Sequence, residues 1–100
     1  MVSKQQKAFY RKLYLSWLVA QQEHSLTSLV VLTAMPRRTI QDTLADLSDI
    51  GIDCQFVQRE GGRHNEGYYQ LCSWGPINPT WVEEHLPELL QALAPSDAQQ

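Results

Sequence analysis

The chain has 100 residues, of which 43% are apolar, enough for one domain with a modest core. Eight Lys and Arg against eleven Asp and Glu leave a formal charge of −3, which by itself does not point to a nucleic-acid partner. The N-terminal "MVSKQQKAFYRKLYLSWLVA" lacks a cleavable small-residue site after an apolar block, and its run "LYLSWLVA" is too short to cross a bilayer. The expectation is a cytoplasmic protein with no membrane partner.

The charges are segregated. All eight bases lie at or before Arg63, whereas the chain from His64 onward holds five carboxylates and no Lys or Arg. Residues 1 to 22 carry Lys4, Lys7, Arg11 and Lys12 with no acid. Such a layout can build a basic face on a molecule that is acidic in total, although solvated faces also segregate by chance.

In chain order, residues 3 to 23 read as a long helix, with Phe9, Leu13, Trp17 and Ala20 at helical spacing. Tyr10, Tyr14, Leu15, Leu18 and Val19 fall outside that stripe. The second half is therefore apolar on most sides, the mark of a helix buried centrally or shared with a partner. In "HSLTSLVVLTAM", Thr27 or Ser25 can cap a short helix with Leu26, Leu29, Val30 and Thr33 on one side. "PRRTIQDTLADLSDIG" follows after a tight connection. Proline suits a first helical turn, Ile40, Leu44 and Leu47 define the inward face, and Gly51 is a natural C′ residue with Ile52 folding back.

"IDCQFVQ" and "GYYQLCSW" are strand-like runs around the polar "REGGRHNE", which together predict a hairpin with an extended tip. One register sets Cys54 opposite Cys72, and a one-residue slip sends them to different faces. The two cysteines lack CxxC spacing, so two free thiols are expected in place of a metal site or a disulfide. "GPINPTW" opens a last helix capped by Asn78, with Pro79 in its first turn and Val82, Leu86, Leu89 and Leu93 as its stripe. Pro87 predicts a kink or break. Residues 95–100 of the tail "APSDAQQ" read as disordered, leaving one domain over residues 1–94.

Two short helices joined tightly, with a hairpin directly after the second, form the winged helix-turn-helix pattern. The fold class is α+β, mainly α, with a long N-terminal helix, a two-stranded wing and a C-terminal helix. "TAMPRRTIQDTLADLSDIGIDCQFV", with "GGRHNEGYYQL" and "WGPINPTWV", resembles a family of short, uncharacterised bacterial winged helix-turn-helix proteins, over about residues 9 to 93. The resemblance implies DNA binding, an implication that itself rests on fold.

In that arrangement the helix at about residues 36–50 enters the major groove and the wing at about 52–74 flanks it. With Ile40, Leu44 and Leu47 inward, Arg38, Gln41, Asp42, Ala45 and Asp49 point outward, flanked by Arg37 and Thr39. Arg38 suits a bidentate contact to guanine, Gln41 an adenine, Asp42 a cytosine amino group and Arg37 a phosphate. Thr27 or Ser28 is placed to receive another phosphate. Arg63, His64 and Asn65 in the hairpin tip can reach a minor groove. The bland alternatives are a solvated helix start, with an arginine paired to Asp42, and an ordinary solvated turn balanced by Glu60 and Glu66. Two arginines at a helix N-terminus oppose its dipole by up to about 1 kcal/mol each, which favours a function for them. Against it, Asp42, Asp46 and Asp49 make residues 37 to 50 net negative, so only end-on entry suits this helix.

His24, in a loop, and His85, on a helix face, share no ligand spacing with His64 or the cysteines, and no Ser-His-Asp constellation is evident. Neither an enzyme nor a cofactor is indicated. Tyr10, Tyr14, Trp17, Trp74 and Trp81 read as core or interface aromatics. The expectation is a sequence-specific duplex-DNA binder that regulates transcription, paired as a homodimer through its first and last helices. The alternative is a winged-helix module that holds another protein, as the net charge and the three aspartates suggest.

Overall fold

The computed structural model describes residues 3–58 and 67–94. Helix α1 (Lys4–Gln21) starts at Ser3, whose hydroxyl accepts the Gln6 N–H at 3.0 Å. It stops short of residue 23 because Gln22 is extended. Its buried residues are Leu13, Leu15, Ser16, Leu18 and Val19, while Phe9 is 37% exposed and Ala20 faces solvent. Phe9 and Ala20 thus leave the expected stripe, whereas Leu15, Leu18 and Val19 outside it are buried. This helix is covered on two flanks, so its buried positions span more than one helical row.

Helix α2 (Leu26–Thr33) is capped by Ser25 and not by Thr27, in a reciprocal box with Ser28. Its C-cap Ala34 sits at φ 63, in the left-handed region, and its N–H reaches the Val30 carbonyl at 2.8 Å. Thr33 tightens the same turn, donating to the Leu29 carbonyl at 2.7 Å and accepting the Met35 N–H at 3.1 Å. Helix α3 (Arg37–Ala45) follows Pro36 and buries Ile40, Thr43 and Leu44. It is shorter than the pattern predicts. Residues Leu47–Ile50 form a 3₁₀ turn that ends at Gly51, φ 86, and Ile52 folds back to bond the Leu47 carbonyl at 3.1 Å.

Strands β1 (Asp53–Gln58) and β2 (Gly67–Ser73) pair antiparallel. Cys54 lies opposite Leu71, so the slipped register holds over residues 54–58, and Asp53 opposite Ser73 makes Cys72 the extra residue of a bulge. Both cysteines are free. Ahead of α2, His24 bridges to β2, its carbonyl accepting the Tyr69 N–H at 2.9 Å. The hairpin tip with Arg63, His64 and Asn65, and the tail at 95–100, lie outside the described residues.

The last helical segment is broken in two, α4 (Pro79–Glu84) and α5 (Leu86–Leu93), with His85 between them and Pro87 in the first turn of α5. Asn78 caps α4, accepting the Thr80 N–H at 2.9 Å. Val82 and Leu89 are buried, and the His85 ring stacks on Trp81 at 3.9 Å.

Two apolar clusters meet on α1. One joins Leu15, Leu18 and Val19 to Leu29, Ile40, Leu44, Leu47 and Ile52, and the other joins Leu13 to Val82 and Leu89. Trp17, Ile50, Trp74 and Ile77 pack against both. The link between β2 and α4 is close-packed at Gly75, φ 58, where an added Cβ would overlap the Gly51 carbonyl. Gly75→Ala therefore combines left-handed strain with a backbone collision. It is expected to destabilise the protein by about 2 kcal/mol or more, read as a lower urea midpoint at unchanged slope.

Candidate nucleic-acid interface

The N-terminal ends of α2 and α3 and one face of the β1–β2 ribbon surround a groove of about 550 Å³. Thr27, Arg37 and Gln41 supply its polar side, and Leu26, Phe56 and Tyr69 its apolar wall. Pro36 presets the start of α3, so Arg37 and Arg38 occupy its first two positions and project from exposed backbone. The Arg37 guanidinium donates to Thr27 Oγ1 at 3.1 Å and so leans into the groove. Arg38 turns the other way, its Nε 3.8 Å from Asp42 Oδ2 with both side chains mostly exposed. An exposed i,i+4 pair of this kind contributes roughly 0.3–0.5 kcal/mol. That is weak enough to exchange for a phosphate or a base edge.

The remaining sequence-predicted residues separate. Gln41 is exposed and borders both the groove and a second hollow of about 330 Å³, lined by Leu44, Ala45, Cys54 and Tyr69. Thr39 is half-buried and faces α1, in a hollow of about 210 Å³ with Arg11, Lys12, Asp42 and Asp46. Thr27 is exposed. Ser28 is committed locally, since its Oγ accepts the Ser25 N–H at 2.9 Å, donates to the Ser25 carbonyl and lies 3.0 Å from His24 Nδ1. Its own N–H donates to Ser25 Oγ. Arg63, His64 and Asn65 are not among the described residues.

Charge on the sheet face is held down by burial. The Cys54 thiol is pushed up to about 11, by desolvation first and then by Cys72 and Asp53. Burial also raises the Tyr69 phenol, with Cys54 adding to the rise and Arg37 opposing it. Both groups stay neutral near pH 7, so neither sets a negative charge beside Arg37. Among the described residues, no cluster of three or more His, Cys, Asp or Glu could hold a metal, and no helix is long and apolar enough to cross a membrane.

A tight two-helix turn, a second helix with exposed polar residues at its start, and an antiparallel ribbon beside it are thus assembled around one groove. A family model described as a winged helix-turn helix matches residues 4–93. The chain belongs to the winged helix-turn-helix family. This winged helix is also similar to the crystal structure, at 2.50 Å resolution, of a DUF2131 family protein from Shewanella amazonensis SB2B. The two are 52% identical with a TM-score of 0.86, over 97% of this chain and 99% of that one. No curated protein matches.

Sequence reasoning missed two parts of this winged helix. It did not set Phe56 and Tyr69 beside Arg37, although alternation along β1 puts Phe56 on the same face as Cys54. It also left Arg11 and Lys12 unassigned, whereas they lie against the acids of α3. Because Cys72 is exposed and Cys54 is half-buried with a raised pKa, iodoacetamide at pH 8 is expected to label Cys72 first. Peptide mass spectrometry reads the order, and Cys54 should accelerate only as the pH climbs toward about 11.

Proposed function

We propose that this winged helix binds duplex DNA sequence-specifically as a cytoplasmic transcriptional regulator, with α3 in the major groove. One observation carries the reading: α3 stops at Ala45. The helix proper holds Arg37 and Arg38 against Asp42 alone, two positive charges to one negative, while Asp46 and Asp49 fall beyond its end. Asp42 is offset by Arg38, and Asp42 and Asp46 share their hollow with Arg11 and Lys12. The negative charge that argued against DNA therefore sits at the rear of the helix or beside α1. End-on entry leads with the guanidinium groups.

The roles follow from position. Arg38 and Gln41 read base edges, Arg37 and Thr27 hold a phosphate, and Arg63, His64 and Asn65 are assigned to the minor groove from sequence alone. Thr39 and Asp42 act at the rim, and Ser28 contributes by fixing the start of α2. Fluorescence anisotropy against duplexes tests this. Affinity should fall with salt at a log–log slope of about −0.9 per phosphate contact. Arg37→Ala should weaken all sequences alike and flatten the slope by about 1, whereas Arg38→Ala should lose about 1–3 kcal/mol on the preferred site only. No binding at low salt would favour the protein-interaction reading, which Val31 and Leu32, 79% and 53% exposed at the end of α2, also support.

Pairing as a homodimer through the first and last helices is part of the proposal. Phe9, Trp81 and Leu90 are exposed on α1, α4 and α5, and the first two line an apolar hollow of about 270 Å³ with Leu13, Pro76 and Ile77. A two-fold pair would present two α3 helices to half-sites one turn apart. Sedimentation should report a dimer at micromolar concentration and a folded monomer for Phe9→Glu with Leu90→Glu. A monomer before substitution removes the dimer.

A further inference from the structure

We infer that the groove between α3 and the ribbon is a binding site for one unstacked nucleotide, its base on Phe56 and its phosphate at Arg37. The inference rests on α3 facing DNA and goes beyond reading a paired duplex.

Phe56 is 46% exposed although it lies in a strand next to the core. Its ring is held in place from below. Tyr69, its cross-strand partner, meets it edge-on with centroids 5.2 Å apart. On the other side lies the buried Gly67, where an added Cβ would stand 2.5 Å from Phe56 Cζ. The glycine leaves room for the ring to lie across β2. An aromatic ring braced at its edge and tip, with nearly half its surface exposed, is one on which a nucleobase can stack, whatever its identity.

The opposite wall supplies what the rest of a nucleotide needs. Arg37 has one of its donors on Thr27 Oγ1, and the other guanidinium N–H groups remain for phosphate oxygens. Of the first amides of α2, that of Ser28 is already taken by the Ser25 hydroxyl. Gln41 borders the same space with an amide that can pair with either a donor or an acceptor on the base edge. The volume of about 550 Å³ falls within the range of small-ligand sites, and the lining mixes one cation, amide and hydroxyl groups with apolar walls. Among the described residues no carboxylate lines it, and the Cys54 and Tyr69 groups nearby stay protonated. A paired base cannot reach such a platform without leaving its stack, so the preferred DNA carries an unpaired nucleotide.

The test compares one blunt duplex with the same duplex carrying a short single-stranded tail, by anisotropy at fixed salt, together with a free deoxynucleoside monophosphate as competitor. The tailed duplex is expected to bind about five- to a hundredfold more tightly, the span that base–aromatic stacking supplies. Phe56→Ala should abolish that preference, so that tailed and blunt duplexes bind the variant equally, and Phe56→Trp should keep it. Circular dichroism checks that both variants fold. Competition by the monophosphate, lost in Phe56→Ala, supports the same site and assigns it to a free nucleotide as well. Equal, salt-sensitive affinity for both duplexes overturns this inference and leaves duplex binding standing. A tail preference that survives Phe56→Ala also overturns it. Failure to bind any DNA removes both.

Discussion

Everything in this molecule is referred to one helix that is covered on two sides. Leu15, Leu18 and Val19 anchor the helix-turn-helix pair and the ribbon on one flank of α1, and Leu13 anchors α4 and α5 on the other. Burial of apolar surface, at about 25 cal/mol per Å², drives both contacts. The chain is small enough that neither cluster has much surplus. α1 therefore sets the angle at which the start of α3 leaves the body, and the broken C-terminal helix stays on the opposite flank. The groove and the apolar hollow around Phe9 and Trp81 thus lie on surfaces that do not compete.

The electrostatics are local in the same way. A total of −3 says little when Asp42 and Asp46 lie beside Arg11 and Lys12 and the Cys54 thiol and Tyr69 phenol are kept neutral by burial. Among the described residues, the start of α3 carries two guanidinium groups, one on the Thr27 hydroxyl and the other beside the Asp42 carboxylate. At physiological salt, charges more than about 8 Å away are strongly screened, so the C-terminal acids weigh little there.

Much of this architecture was legible because capping chemistry is local. Asn78 with Pro79, Gly51 as a stop, Pro87 as a breaker and Ser25 as one of two candidate caps all follow from which backbone groups lack partners. The end of α3 was not legible, for a specific reason. Leu44 and Leu47 are three apart, and a 3₁₀ turn with its i+3 repeat keeps Leu47 inward as well as an α-helix would. Hydrophobic spacing cannot tell the two apart over one turn. The cysteine register was hidden by a bulge, which no alternation pattern announces. In the site, the outward set of Arg38, Gln41 and Asp42 could be drawn from helical geometry alone. The Phe56 platform could not, since its exposure depends on where the core ends beneath β1. The amide that Ser28 offers to a phosphate is taken by Ser25 Oγ in a capping box, which the sequence did not resolve.

In the proposed role, the shortness of α3 also limits how much text one copy can read. Nine residues make a rod of about 13 Å, which even laid along the groove spans only about four base pairs at 3.4 Å each, and end-on entry reads no more. A four-letter word recurs by chance about once in every 256 positions, so in a genome it is no address at all. For a protein that must find one promoter, a second source of discrimination is then a requirement: another copy at a fixed spacing, or a feature of the DNA that ordinary duplex lacks.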